Sequence, residues 1–261
     1  MRARTEEFLY FLLWAADPFM HPTFRNLTDS FESWAYRNGF GDELAKLERQ
    51  SLVERSPEAA KDRLYRLTEA GRLHALGGRD PQTWWSRAWD GRWRLVLFDI
   101  PMSRNTERKW LRRYLRNRHF GCLQGSVWIT PDPVTEQRQI LAEGRTNVQS
   151  LLLFDGRPCG DESDAQIVSS AWNWEMISAC YTEHARILRE MPAKSPQSKT
   201  HAQALQFWVA TERAGWLAAM DRDPLLPERI LPPGYLGREA WRRRTEVMAA
   251  LSKQFGAPKS A

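Results

Sequence analysis

The fold of this chain turns on Trp93–Pro101, "WRLVLFDIP". Leu95–Ile100 is a nearly unbroken apolar run, too short for a globular helix and without the alternation of a strand that has one wet face. It predicts a buried central strand. Pro101 ends it where no ladder donor is needed. Asp99 then poses the functional question. A lone carboxylate at a strand end is either an active-site acid or metal ligand, or a turn residue that hydrogen-bonds the backbone just beyond it.

Working downstream, the pattern predicts a helix over Asn105–Asn117, a strand or bent hairpin over Gly121–Thr130, a helix over Pro133–Gly144 and a last strand over Gln149–Phe154. That succession is a small α+β sandwich of ferredoxin-like type, with both helices on one sheet face. Its first helix carries Arg104, Arg108, Arg112 and Arg116 at every fourth position, with Lys109, Arg113 and Arg118 beside them, and leaves Trp110, Leu111, Tyr114 and Leu115 to face the sheet. Glu107 is the sole acid in the row, so the stripe is either a solvated face or a phosphate-contacting surface.

Upstream, a helical pattern over residues 5–16 stops at Asp17-Pro18, a second helix follows Thr28-Asp29-Ser30, and Asn38-Gly39 reads as a turn. A third helix, Gly41–Gln50, precedes two short strands, Val53–Arg55 and Leu64–Leu67, and Thr68 caps one more helix. Three helices and a ribbon make a winged helix-turn-helix. In such a module the third helix enters the major groove, offering Lys46, Arg49 and Gln50 to bases, while Arg55, Lys61 and Arg63 of the ribbon and its loop meet phosphates. At least some of Asp42, Glu43 and Glu48 must then point away from DNA.

Beyond the sandwich, 156–170 reads as a loop, and three helical stretches separated by a polar break and a proline-rich turn fill the rest. The expected organisation is a winged helix over 1–76, a linker over 77–90 marked by "GGRDP", a ferredoxin-like domain over 91–156 and a helical domain over 157–261. Trp172, Trp174, Tyr181 and Trp208 are candidates for a ring-stacking effector pocket, with core packing as the alternative for each.

The net charge of +6 and pI near 9.4 suit a polyanionic partner such as nucleic acid. Cys122, Cys159 and Cys180 are widely spaced and form no CxxC pair, so neither a zinc site nor a disulfide framework is expected, and a reducing cytoplasm fits. The apolar "FLYFLLWAA" near the N-terminus reads as a buried helix, because Glu6 and Glu7 precede it and it is shorter than the about 20 residues of a membrane span. No Walker loop, nucleophile elbow or dinucleotide fingerprint is present. His21, His74, His119, His184 and His201 stand apart from the cysteines and from each other, so no metal or cofactor is expected.

Two segments, Trp89–Pro131 and Asp221–Trp241 ("DRDPLLPERILPPGYLGREAW"), resemble signature segments of the PaaX family of transcriptional repressors, and "LYRLTEAGR" (Leu64–Arg72) is similar to that family's wing strand and exit. The resemblance implies a winged helix, a middle domain shaped like the small CRISPR adaptation protein, and a helical C-terminal domain. It also implies a homodimer on a palindromic operator of double-stranded DNA, released by an aryl-coenzyme A thioester. Arg186 would be a further candidate for the thioester's phosphates. The function expected is therefore a dimeric repressor of a catabolic operon, not an enzyme. Its rival is a metal-dependent nuclease or nucleic-acid-processing factor built on Asp99.

Overall fold

The computed structural model describes residues 41–55, 65–134, 151–192 and 199–256. In chain order its first elements are α1 (Gly41–Arg49), β1 (Val53–Arg55), β2 (Tyr65–Leu67), α2 (Glu69–Ala75), α3 (Pro81–Ser86) and β3 (Trp93–Phe98). Then come α4 (Asn105–Asn117), β4 (Gly121–Gln124), β5 (Val127–Thr130), β6 (Leu151–Gly156), α5 (Asp164–Ala171), α6 (Trp174–Arg189), α7 (Lys199–Arg222) and α8 (Gly237–Gly256). The two helices expected upstream of Gly41 lie outside the described residues, and the one expected over Pro133–Gly144 does so almost entirely. No helix among the described residues is long and apolar enough to cross a membrane.

The chain divides into two compact units. The second is formed by Pro81–Ala179 and Ala219–Tyr235. Its centre is an antiparallel sheet in the order β4-β5-β3-β6. β3 lies inside, pairing Val96 with Trp128 on one side and with Leu153 on the other. Both edges of its backbone ladder are thus filled.

The apolar run of β3 has two destinations. Val96, Phe98 and Ile100 pack with Trp128, Leu151 and the α4 residues Leu111 and Leu115. On the opposite face Trp93 and Ile129 pack with Val168 and Ala171 of α5 and with Leu226 and Ile230. Cover on both faces is why the strand shows no polar alternation.

Two stretches differ from the sequence expectation. Within the expected linker, Asp80-Pro81 opens α3, as proline does at a first helical position. Within the expected loop, Ser163 starts α5 with a capping box. Its hydroxyl accepts from the Gln166 backbone N–H, and the Gln166 side chain accepts from the Ser163 N–H at 2.7 Å. The Ser-x-x-Gln spacing was legible, but the surrounding Gly, Asp and Ser residues masked it.

The C-terminal half, read as one helical domain over 157–261, is shared between both units. The reason is chemical. Leu225 and Leu226 are fully buried, and the turn that places them is made by Asp223, whose Oδ1 accepts from the Leu225 N–H at 2.7 Å. Asp223 Oδ2 also accepts from the Tyr235 hydroxyl, which in turn accepts from Trp85 Nε1 at 3.1 Å. Arg87 completes the arrangement. Its guanidinium forks onto Asp132 at 2.7 and 3.0 Å and donates to the Trp84 and Leu225 carbonyls, both at 2.5 Å. Segments far apart in sequence therefore close one core.

Gly121 sets the spacing between β4 and α5. A Cβ there would stand 2.6 Å from Ala171 Cβ and under 3 Å from the Trp172 ring. Gly121→Ala is expected to lower unfolding stability by about 1–3 kcal/mol through overpacking, read as a shift of the urea midpoint.

Candidate nucleic-acid interface

The first unit comprises Met1–Asp80, Cys180–Ala218 and Leu236–Ala261. Its α1 has Leu47 fully buried, and Val53 and Leu67, opposite each other in the β1–β2 ribbon, are buried as well. The end of α1 is closed by a paired C-terminal motif. Leu52 N–H reaches back to the Leu47 carbonyl at 3.0 Å, and Ser51 N–H to the Glu48 carbonyl at 3.0 Å. Ser51 sits at φ 55, the left-handed position usually given to glycine.

Thr68 joins this end of α1 to α2. Its hydroxyl donates to the Ser51 carbonyl at 2.7 Å and accepts from the Gly71 N–H at 3.0 Å, while its own N–H donates to the Leu52 carbonyl at 3.1 Å. Gly71 is required there. A Cβ would lie 1.9 Å from the Leu52 carbonyl oxygen. One hydroxyl thus fixes where α1 stops, where the ribbon returns and where α2 starts.

The expected DNA-contacting residues fall unevenly on this frame. Arg49 and Gln50 are exposed at the C-terminal end of α1, with Arg49 Nε 3.3 Å from the Ala45 carbonyl. Lys46 is half-buried. Arg55 lies on β1 opposite Tyr65. Lys61 and Arg63 lie outside the described residues.

The four candidate effector aromatics all have internal partners. Trp172 Nε1 donates to the His119 carbonyl at 3.1 Å and Trp174 Nε1 to the Val168 carbonyl at 2.7 Å, both within the second unit. In the first unit Tyr181 is buried against Trp216, with ring centroids 6.2 Å apart, and Trp208 Nε1 donates to the Ile187 carbonyl at 2.8 Å. Arg186 is held by Glu183 at 2.7 Å and by Glu190.

Asp99 follows β3 and is exposed. It makes no cap of the next turn among the described residues. No group of three or more His, Cys, Asp or Glu side chains able to hold a metal ion occurs among the described residues.

A buried polar cluster in the first unit escaped the sequence reading. Glu212, Arg244 and His184 are all fully buried. Glu212 Oε1 accepts from Arg244 Nε at 2.7 Å and lies 2.8 Å from His184 Nε2, while the guanidinium carbon of Arg244 sits 4.3 Å over the Trp216 ring. The three residues come from α6, α7 and α8, and no local spacing links them. Gly215 lets the helices approach, since a Cβ there would meet Ile187 Cδ1 at 2.8 Å.

Two outcomes follow from these contacts. Ser51→Gly should raise stability by about 1 kcal/mol, because it relieves the left-handed backbone cost, and the denaturation midpoint measures it. Glu212→Gln should cost about 3–5 kcal/mol, because it leaves the Arg244 guanidinium buried without its counter-charge.

With this geometry in hand, residues 86–168 match the family model of the PaaX protein central Cas2-like domain. No curated protein matches the chain. Among solved structures it is similar to the uncharacterized protein Rv0674 from Mycobacterium tuberculosis, at 21% identity over 95% of each chain with a TM-score of 0.52. At that identity the likeness concerns the fold alone. The matched stretch contains all four strands of the sheet and the whole of α4, and over it the chain is similar to the central domain of PaaX proteins.

Proposed function

We propose that this protein is a DNA-binding transcriptional regulator, a dimeric repressor of a catabolic operon that binds a palindromic operator in double-stranded DNA. The observation that carries the reading is the α1–ribbon frame. Its Thr68 hydrogen bonds hold the end of α1, where Arg49 and Gln50 are exposed, in a fixed relation to the start of β1. A helix presented by a hydrogen-bonded ribbon is the geometry that a winged helix-turn-helix uses in the major groove. In a dimer two such helices would sit about 34–36 Å apart on one face of the duplex.

In this reading Arg49 and Gln50 contact base edges, Lys46 supports them, and Arg55, Lys61 and Arg63 meet phosphates. The effector is an aryl-coenzyme A thioester or a related small molecule, with Trp172, Trp174, Tyr181 and Trp208 as the aromatics first in line for its ring. A thousandfold release would need a coupling of about 4 kcal/mol, above the about 1–3 kcal/mol typical of allosteric proteins, so partial release is expected. Cys122, Cys159 and Cys180 are free thiols, as a reducing cytoplasm would keep them.

The test is a salt titration of binding to the DNA upstream of the protein's own coding region, repeated with phenylacetyl-CoA and related thioesters. Sequence-selective binding that weakens steeply with salt is expected, together with weakening by a thioester. Arg49→Ala should cost about 1–3 kcal/mol and relax selectivity, whereas Lys61→Ala should weaken all duplexes alike. Failure to prefer that DNA over scrambled duplex would sink the regulator reading.

A further inference from the structure

We propose that the outer face of α4 is a second nucleic-acid surface, in which Lys109, Arg113 and Arg116 contact the phosphates of a duplex independently of base sequence.

Apart from Arg118, whose guanidinium lies over the Tyr114 ring at 5.7 Å, the basic stripe of this helix separates into two sets. Arg104, Arg108 and Arg112 are partly buried and engaged: Arg104 Nε donates to Glu107 at 2.7 Å, Arg108 lies 2.9 Å from Met102 Sδ, and Arg112 donates to the Gly125 carbonyl at 2.9 Å. Lys109, Arg113 and Arg116 are exposed, and none has a hydrogen-bond or ion-pair partner among the described residues. At spacings of four and three they share one helix face. Leu111 and Leu115 hold the opposite face on the sheet.

A run of cations on a helix is ordinarily balanced by carboxylates, and this chain shows that habit elsewhere. On α6, Arg186 is clasped by Glu183 and Glu190. On α8, Arg242 and Arg243 both bind Glu239, which they hold down to a pKa of about 2, and Arg242 also reaches Glu246. On the sheet, Arg92 pairs with Asp155 and Arg94 with Asp90, each at 2.5 Å. The outer line of α4 has no such partner among the described residues, and its nearest acid in sequence, Glu107, is already taken by Arg104.

Geometry fits the partner. From Lys109 to Arg116 the helix rises about 10 Å, close to the axial rise of three nucleotides of one strand in B-form DNA. Three long cationic side chains on that line match successive phosphates, contacts that carry no sequence information directly. The face lies on the second unit and is distinct from α1 and its ribbon, so it would add affinity without selectivity.

The experiment is fluorescence anisotropy of the full chain against a labelled duplex carrying the upstream sequence and a scrambled one, over about 50–200 mM salt. The unaltered chain is compared with Lys109→Gln/Arg113→Gln/Arg116→Gln and with Arg49→Ala. The triple variant should weaken binding to both duplexes by roughly a hundredfold, lower the slope of log K against log salt by about 2–3, and keep the ratio between duplexes. Its thermal midpoint should stay unchanged, because the three side chains are exposed.

The two readings fail separately. Selective binding whose strength and salt slope survive in the triple variant overturns this inference and leaves the regulator reading standing. Non-selective binding that the triple variant weakens supports the inference and removes the regulator reading. Loss in the triple variant of binding to phosphatidylserine vesicles, with duplex binding unaltered, overturns it in favour of a membrane surface.

Discussion

One guanidinium holds the second unit in the form described. Arg87 has five N–H donors in a rigid fork, and four of its contacts are spent on Asp132, the Trp84 carbonyl and the Leu225 carbonyl. Asp132 stands just beyond β5, Trp84 in α3, and Leu225 in the turn after α7. A point charge such as lysine could not satisfy all three at once. The consequence reaches the sheet. With Leu225 tethered, Leu226 and Ile230 are placed on the second face of β3, and that face becomes core instead of solvent surface. Trp89–Pro131 and Asp221–Tyr235 thus belong to one physical unit, although some ninety residues separate them.

Charge is organised in two ways in this protein, and the difference bears on function. In the first unit a carboxylate and a guanidinium are both fully buried, and with His184 on the same carboxylate they join three helices. Removing either partner exposes the other to a medium that cannot solvate it, so the pair specifies the packing even where it adds little net stability. On the surface Arg186 of α6 and Arg242 and Arg243 of α8 are tied to acids one turn away. Such pairs lower the local potential and make those faces neutral to a polyanion. Lys109, Arg113 and Arg116 of α4, by contrast, are exposed with no ion-pair partner among the described residues.

Much of the second unit was legible in residue order. The run Leu95–Ile100 announces a buried strand because a nearly unbroken apolar run has no face left for water, and the buried face of α4 follows from the spacing of Leu111 and Leu115. The ribbon and the Thr68 cap were also legible, since Thr68 precedes an acidic first turn and two short β-prone stretches flank a charged loop. The candidate site was legible only in part. Arg49 and Gln50 could be picked out by position, but which cations of α4 remain without a partner among the described residues could not be read, because Arg104, Arg108 and Arg112 have the same chemistry and the same spacing as their neighbours. Asp99 likewise looked like a turn cap or an acid, and the turn it precedes is closed instead by the Arg104 N–H to the Pro101 carbonyl.

The sequence by itself determined the local elements: where β3 is apolar, where α4 buries its leucines, where Thr68 starts a helix and which face of α4 carries the charge. These follow from periodicity and from backbone groups within a few residues, which any stretch of chain must satisfy alone. The tertiary structure decided what lies across the gaps: that 219–235 covers the sheet, that Arg87 reaches Leu225, and that His184, Glu212 and Arg244 meet in one buried cluster. Those contacts join residues separated by tens to more than a hundred positions, and their energy comes from removing groups from water together. No local pattern encodes which distant partner shares that burial.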